Sequence, residues 1–545
     1  MRGEPLLRNE PRCPQQRLYG FWRQNGGKMY ALIDSNNFFV ACERLFRPDL
    51  EGVPVIVLSS NDGCAVSRSH EAKALGVAMG EPIFKLRGRF QVIESRDMSQ
   101  ESRKMVKRFC DARTARLGQG MPSARPPYFT TATSGKPPLV VFSANFELYG
   151  DISERIATLL TSITPHIELY SIDEAFLDLD KLDIPDYTTW GKSVRAAILK
   201  NIGIPVSVGI APTKTLCKLA NHWAKTHEDT SGVFVVEPRV TSQEARAAKL
   251  LQGNKTVAAG DTTFTHNSYL VALGSTSIAD VWGVGWRLAP RLRAEGIFTA
   301  LDLARMRPQR AGQLMGIHGR HMVYELGGTR CLPLQPATKA QHIIGRGRQF
   351  GADTSEESVV EAAITTLATR AARELRREGQ LAAQAAVILR TNYHKPGYTR
   401  VSHAVRFYTP TANTGTICSQ LIRTLHREFH RGLSYHKADV VLYDLSPSSS
   451  LQTDVFGMVS IADHTRSTAL MHAVDAITAK YGPHALRPAA ETLSSAWQPR
   501  SHMRSPRYTS SWRELPSIQI PHEPRALTSC ISSPLKHRRS RTRVQ

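Results

Sequence analysis

Residues 170–180 read YSIDEAFLDLD and place two carboxylates side by side, Asp173 and Glu174, in otherwise apolar sequence. An ionised carboxylate is costly to bury without a positive partner, so adjacent acids in a core-like strand need one. Asp34 is placed similarly, because it ends the apolar run YALI. Two acids at the ends of buried strands, far apart in sequence, can converge at one edge of a sheet. The acids Asp178 and Asp180 fall where the strand exits, and we expect them to be solvated.

Such an oxygen-rich site suits Mg²⁺, which takes one or two carboxylates together with waters and substrate phosphates. Three carboxylates could hold two ions, the arrangement that stabilises attacking and leaving oxygens in phosphoryl transfer. Side-chain alternation prevents Asp173 and Glu174 from facing one side of a regular strand, so a turn at the pair is required. On spacing alone, a solvated hairpin tip explains the two acids equally well.

The composition and net charge of the chain favour a nucleic-acid partner. The chain has 545 residues, with 70 Lys plus Arg against 47 Asp plus Glu, a formal net charge of +23. A chain of this length predicts roughly three or four domains, and such a positive surplus favours binding to phosphates. The sequence has no long apolar run and no CxxC pair among its eight cysteines. We therefore expect no membrane association and a cytoplasmic location.

Basic residues provide candidate anion contacts. Lys214, Lys218 and Lys225 lie on the helix predicted after VSVGIA, and Arg68 and Lys73 flank the start of another helix. A surface position is the commoner explanation for any one lysine. Grouped around a metal site, Lys73 and Lys225 become candidates for binding a triphosphate. There is no GxxxxGK motif, which argues against a P-loop enzyme.

The stretch IADVWGVGWRLAPRLRAEGI (residues 278–297) predicts two helices joined by a tight turn at Gly283, Val284 and Gly285. Glycines permit close backbone approach, and amides at such a turn can bind phosphate without regard to base sequence. A plain helical hairpin explains the stretch equally well.

Five stretches, in order, resemble motifs of the Y-family translesion DNA polymerases and, within that family, its UmuC-like branch. They are DSNNFFVACE, NDGCAVSRSHEAKALGVAMGEPIFK, YSIDEAFLDL, VGIAPTKTLCKLANHWAK and DVWGVGWRLAPRLRAEGI. The resemblance covers about residues 29 to 512. It implies an α+β multidomain fold, a right-hand polymerase with palm, fingers, helical thumb and little finger.

The resemblance also implies domain bounds. The segments are a disordered N-terminal extension (1–28), palm (29–43 and 139–240), fingers (44–111), an insertion loop (112–138), a thumb with a helix-hairpin-helix (241–335, with a second insertion at 252–276), little finger (341–445), a UmuC-type C-terminal region (446–512) and a basic disordered tail (513–545). Neither insertion has a counterpart in a typical member, and both are rich in loop-forming residues.

Carried over by position, the resemblance assigns roles to individual residues. Asp34, Asp173 and Glu174 would hold two Mg²⁺ ions, assisted by the Ser35 carbonyl. Phe39 would be the steric gate that rejects ribonucleotides. The triphosphate contacts would be Lys73 and Lys225, and the DNA-backbone contacts Gly283, Val284 and Gly285.

The resemblance implies partners as well. They are primed template DNA with a dNTP, a UmuD-like dimer, a RecA filament and the β sliding clamp, in a bacterial, nucleoid-associated setting. Gln452, Val455 and Phe456, in the stretch QTDVF, resemble a clamp-binding peptide. Asp454 and Val455 depart from the best form of that peptide, so we expect weaker binding.

The function implied is error-prone translesion synthesis in an SOS-type response to DNA damage, by two-metal phosphoryl transfer. The alternative is a catalytically inactive DNA-binding relative that retains the fold. A second alternative is a different two-metal enzyme, such as a nuclease. All three carboxylates are present, which argues against the inactive relative, and the thumb hairpin and little finger argue against a nuclease.

Overall fold

The computed structural model describes residues 28–95, 106, 136–236, 268–335, 342–449, 461–482 and 485–515. The strands, in chain order, are β1 (Tyr30–Ser35), β2 (Val55–Leu58), β3 (Ala65–Arg68), β4 (Gln91–Glu94), β5 (Pro138–Ser143), β6 (Ile167–Leu169), β7 (Glu174–Asp178), β8 (Val206–Ala211), β9 (Val233–Val235), β10 (Ile343–Thr354), β11 (Gln380–Thr391), β12 (Arg400–Thr411) and β13 (Tyr435–Pro447).

The helices are α1 (Phe38–Phe46), α2 (His70–Ala74), α3 (Ile83–Arg89), α4 (Phe146–Ile163), α5 (Tyr187–Ile202), α6 (Lys214–Thr226), α7 (Ser268–Ser275), α8 (Leu288–Ala294), α9 (Ala300–Arg305), α10 (Pro308–Leu326), α11 (Glu357–Arg377), α12 (Thr414–Glu428) and α13 (Ile461–Tyr481). Of the described helices, none is long and apolar enough to cross a membrane. The predicted mixture of helices and sheets in several units is confirmed.

The names predicted for the ranges of the chain are kept for the units that follow. The palm contains a five-stranded sheet of order β6-β7-β1-β8-β9, with β1 antiparallel to both of its neighbours. Because side chains alternate along a strand, Ala31 and Ile33 pack with α1, α4 and α5, whereas Tyr30 and Leu32 pack with α6 and the thumb helices. The next residue in the second series is Asp34. The alternation therefore turns this carboxylate toward α6.

The fingers are built on a four-stranded sheet of order β3-β2-β5-β4, in which β5 is parallel to β2 and β4. The sequence interpretation assigned residues 139–240 to the palm, but β5 pairs with strands of the fingers range. All six residues of β5 are buried, as expected for a central strand covered on both faces. β5 leads directly into α4, which packs in the palm core.

The thumb contains α7 to α10 around one apolar core. The sequence interpretation of 252–276 as an insertion loop is wrong for its last part, because Ser268–Ser275 form α7. Ala272 and Leu273 of this helix are fully buried in the thumb core. Packing against α9 therefore outweighs the weak local signal of a short helix that contains a glycine.

The little finger is a four-stranded sheet of order β10-β13-β11-β12, and its core includes buried side chains of α11 and α12. α13 attaches to this unit through a bidentate ion pair in which Arg376 donates to both oxygens of Asp475 at 2.7 Å.

The C-terminal strap, residues 497–508, then runs across three units. Trp497 is buried in the little-finger core, Met503 in the fingers core and Tyr508 in the palm core. One short segment therefore contributes a large side chain to each of three hydrophobic cores.

Candidate active site

The ends of β1 and β7 lie side by side at one end of the palm sheet. Asp34 is the cross-strand partner of Glu174, and the Ser35 N–H donates to the Asp173 carbonyl at 2.9 Å. Two amides of the turn at 170–173 donate to the Glu174 carbonyl, at 3.0 and 3.1 Å. Asp173 therefore sits in the turn and Glu174 begins the strand, which is the break in alternation that adjacent acids at one site require.

Two lysines of α6 pair with these acids. The Lys225 Nζ lies 2.6 Å from Asp34 Oδ1, and the Lys218 Nζ lies 2.6 Å from Glu174 Oε2. Burial raises the pKa of Asp34 to about 6, with a further increase from Glu174, whereas the ion pair with Lys225 opposes the rise. The two acids thus form a tight cluster whose negative charge is compensated by the helix that covers it.

A third cation approaches from the fingers. The Lys73 Nζ, on α2, donates to the Asn37 side-chain oxygen at 2.5 Å. Burial lowers the pKa of Lys73, and Arg68 and Lys225 lower it further, whereas Asp34 raises it. Lys73 is therefore close enough to interact with Arg68, Lys225 and Asp34. This clustering of cations next to a carboxylate is the arrangement that a bound polyphosphate needs.

The other α6 lysines differ from each other. Lys214 is buried and bonds Glu168 Oε2 and the Pro333 carbonyl, so it links palm to thumb rather than lining the site. Lys218 contacts Glu174, although sequence reasoning named no role for it at the site. Its position seven residues before Lys225, two helical turns on one face, is the signal that identifies it.

The donor set at the strand ends consists of carboxylate oxygens. In the described part of the chain, no group of three or more His, Cys, Asp and Glu side chains is arranged to hold a metal ion. Two carboxylates do converge, Asp34 and Glu174, while Asp173 Oδ1 accepts a hydrogen bond from the Ser171 hydroxyl. One or two carboxylates completed by substrate phosphate are the usual protein ligands of Mg²⁺. The residues present therefore fit that ion.

Phe39 lies on the first turn of α1, five residues after Asp34, and is held by aromatic rings. Its ring stacks on Tyr149 at 4.4 Å between centroids, 12° from parallel, and meets Phe146 at 6.0 Å with the planes perpendicular. Offset and perpendicular aromatic pairs each add stabilisation beyond the area they bury. The ring is thus held in place by its aromatic neighbours.

Asp180 is an exposed residue, as expected, but its carboxylate also has specific partners. It accepts the Met29 N–H at 2.7 Å, and the Arg330 guanidinium donates to both of its oxygens, at 2.7 and 3.1 Å. Arg330 also stacks on the Tyr30 ring, 3.7 Å from its centroid. The acid therefore joins the start of β1 to the thumb, a long-range partnership that local sequence cannot reveal.

The remaining predicted residues belong to the thumb turn and to the clamp-binding peptide. Gly283 has a φ of 91°, which favours glycine, and the Val284 amide donates to the Val281 carbonyl within the turn. The DNA-backbone role of Gly283, Val284 and Gly285 stays a prediction. The clamp-binding residues Gln452, Val455 and Phe456 lie outside the described residues, as do 1–27, 112–135 and 516–545.

The fold is that of Y-family DNA polymerases. Among solved structures, a chimeric Y-family DNA polymerase matches with a TM-score of 0.50 and 18% identity, over 77% of this chain and 99% of that one. This confirms the predicted right-hand polymerase fold.

Sequence comparison defines the family more closely. Residues 33–222 match the impB/mucB/samB family, residues 341–455 match the C-terminal domain of that family, and residues 468–518 match a domain of unknown function. Protein UmuC of Salmonella typhimurium is 34% identical over 89% of this chain and 99% of its own length. Protein MucB of Escherichia coli is 31% identical over 90% of this chain and 100% of its own length. DNA polymerase IV of Oceanobacillus iheyensis is 22% identical over 83% of this chain. The chain belongs to the impB/mucB/samB family, and the predicted UmuC-like identity is confirmed.

Proposed function

We propose that this chain is a DNA polymerase that adds deoxynucleotides to a primer 3′-hydroxyl opposite a template. Family membership supports the class of enzyme. The observation that carries the site assignment is the pair of acids at paired strand ends, Asp34 beside Glu174, each 2.6 Å from a lysine of α6. Asp34 is buried and Glu174 is partly buried, and removing such charges from water is costly even when they are paired, which supports a chemical role for the two acids.

The proposed metal ligands are Asp34, Asp173, Glu174 and the Ser35 carbonyl, which would hold two Mg²⁺ ions. When bound there, Mg²⁺ would activate the primer hydroxyl and neutralise charge on the triphosphate. Hard oxygen donors of this type, completed by substrate oxygens, support the choice of ion.

Lys73 and Lys225 are the proposed triphosphate contacts. Both are cations within reach of Asp34, and Lys73 approaches from the fingers while Lys225 approaches from the palm helix. Two cations from different units can bind phosphate oxygens from two directions, which would fix the orientation of the nucleotide. We expect loss of either lysine to weaken nucleotide binding more than DNA binding.

Phe39 is the proposed steric gate. A phenylalanine ring held by Tyr149 and Phe146 cannot swing aside easily, so its edge would exclude a ribose 2′-hydroxyl by contact. Ring bulk alone is sufficient for this exclusion.

Lesion bypass is the proposed biological role, within an SOS-type damage response. Its support is the resemblance, together with fingers whose helices α2 and α3 have only five and seven residues. Short fingers offer little surface to test the shape of the new base pair. The β sliding clamp, through Gln452, Val455 and Phe456, a UmuD-like dimer and a RecA filament are proposed partners on the resemblance alone. A bacterial cytoplasmic, nucleoid-associated location is proposed on the same basis.

Primer extension tests the site directly. With primed template, dNTPs and Mg²⁺, we expect the unaltered chain to extend the primer, and Asp34→Asn and Asp173→Asn each to abolish extension while DNA binding persists. Asp183→Asn is the matched control, because Asp183 is an exposed acid of the same segment. Unchanged extension by the Asp34 and Asp173 variants would contradict the site assignment. DNA binding without extension by the unaltered chain would favour the inactive relative, and degradation of the primer would favour a nuclease.

A further inference from the structure

The C-terminal strap holds the start of α4 through a buried asparagine. Asn145 caps this helix, accepting the Leu148 N–H on its side-chain oxygen at 3.4 Å. The same oxygen accepts from Arg504 Nη2 at 2.9 Å, and the Asn145 amide group donates to Ser505 Oγ at 2.9 Å and the Pro506 carbonyl at 3.3 Å. A cap that usually involves only its own helix is therefore shared with residues about 360 positions later in the chain.

A second polar contact reaches α1. The Ser505 hydroxyl donates to Glu43 Oε1 at 3.1 Å, and the Tyr149 hydroxyl donates to the same oxygen at 2.7 Å. Ser505, Glu43 and Tyr149 are all buried. Glu43 lies four residues after Phe39, one turn along the same face of α1. The strap is thus bonded to the helix that carries the Phe39 ring.

The first turn of α4 carries the other supports of that ring. Phe146 and Tyr149, which follow the Asn145 cap, are the rings against which Phe39 packs. The helix that carries Phe39, through Glu43, and the cap before its two aromatic neighbours, Asn145, are therefore both hydrogen-bonded to residues 504–506.

Attachment of the strap to the fingers does not require these contacts. The Met503 carbonyl accepts from the Ser143 N–H at 2.9 Å and from the Ser95 hydroxyl at 2.8 Å, and the Met503 side chain is buried in the fingers core. A buried polar group is costly where an apolar one would hold two surfaces together equally well. The polar contacts of residues 504–506 converge on the supports of one ring, which points to a role beyond attachment.

We propose that residues 504–506 of the C-terminal strap position the Phe39 ring and thereby set the selection of dNTPs over rNTPs. This inference rests on the proposed role of Phe39 as the steric gate. Arg504 and Ser505 are positioning residues, because Arg504 would act through Asn145, and Ser505 through Asn145 and Glu43.

The test measures kcat/KM for one dNTP and its matching rNTP at a single template position, in the full-length chain. We expect Ser505→Ala to lower the dNTP-to-rNTP ratio about fivefold, the effect of one lost hydrogen bond of ordinary strength, with kcat/KM for the dNTP changed by less than about twofold. Ser501→Ala is the matched control, an exposed serine of the same strap. Arg504→Gln, at a half-buried position, is the second variant and should lower the ratio in the same direction even if Ser505→Ala fails to fold.

The results distinguish the role of the strap from the role of Phe39 as the steric gate. Phe39→Ala must increase rNTP incorporation, and failure of that result would reject the gate assignment itself. If Phe39→Ala relaxes selection but Ser505→Ala and Arg504→Gln match Ser501→Ala, the strap does not position the ring. An equal fall in dNTP and rNTP incorporation would also overturn the proposal, because it would mark the strap as a purely structural attachment.

Discussion

Glu43 should make the stability of the chain depend on pH in a way that a neutral replacement removes. Burial raises the pKa of its carboxyl from 4.5 to about 7, against the opposing hydrogen bonds from Tyr149 and Ser505. Its second oxygen, Oε2, has no hydrogen-bond partner among the described residues. The folded chain therefore holds a proton on Glu43 over a pH range in which the unfolded chain has released it.

The sign of the effect follows from proton binding. Because the folded state binds more protons between about pH 4.5 and pH 7, stability falls as the pH rises through this window and is constant above it. The rise in pKa corresponds to about 3.4 kcal/mol, at about 1.36 kcal/mol for each tenfold change in proton affinity. Glu43→Gln keeps an oxygen that can accept from Tyr149 and Ser505 but has no charge to bury.

Thermal unfolding at about pH 5 and about pH 8 measures this difference. The melting temperature of Glu43→Gln, relative to that of the unaltered chain, should be higher at about pH 8 than at about pH 5. This difference should amount to about 5–10 °C, at about 2–4 °C per kcal/mol for a unit of this size. Glu154→Gln, at an exposed position on α4, is the control and should follow the unaltered chain at both pH values. A gap that is equal at the two pH values would refute the reasoning, because Glu43 would then titrate as an ordinary carboxyl.

Three further substitutions test other parts of the structure. Lys218→Met removes the ion pair to Glu174, and we expect single-nucleotide incorporation to slow about tenfold with DNA affinity unchanged; an unaltered rate would remove Lys218 from the site. Asp180→Asn weakens the bidentate pair with Arg330, and we expect a loss of about 1 kcal/mol in urea unfolding, whereas no loss would mean that the pair adds nothing to the palm–thumb contact. Gly209→Ala places a Cβ 2.4 Å from backbone atoms of α6, which should destabilise the palm by about 3 kcal/mol or more in thermal unfolding.

Controls for these variants are available in the chain. Gly88→Ala adds a methyl group where nothing lies within 4 Å, so it should leave the melting temperature nearly unchanged. A similar loss in Gly88→Ala and Gly209→Ala would show that the close approach of β8 to α6 is not the cause. Lys200→Met, at an exposed lysine on α5, is the corresponding control for Lys218→Met.

The acids of the site are visible in the sequence because Asp34 ends one apolar run and the pair Asp173 and Glu174 interrupts another. The pattern shows that these acids can converge, but spacing alone does not distinguish this from a solvated hairpin tip, and the pairing of β1 with β7 decides between them. Lys218 could have been recognised by its helical spacing from Lys225. These patterns are local in sequence, so they can be interpreted without knowledge of the rest of the fold.

The rest depends on contacts between distant segments. The partners of Asp180 could not be predicted locally, because Met29 and Arg330 lie 151 and 150 residues away from it. The sequence of β5 predicts a buried strand, but its six residues do not determine which sheet the strand joins. The polar residues of the strap resemble an ordinary loop, and their role emerges only when Asn145 and Glu43 are placed next to them.

The strap also has a consequence for the order of events during synthesis. Ser143 and Met503 are hydrogen-bonded across 360 residues, and a ribosome adding about 5–20 residues per second needs roughly 20–70 s to cover that distance. The palm and fingers therefore leave the ribosome well before the segment that completes their contacts. A chain released early, by a premature stop codon or by proteolysis of its last fifty residues or so, would contain every acid of the candidate site and lack the strap.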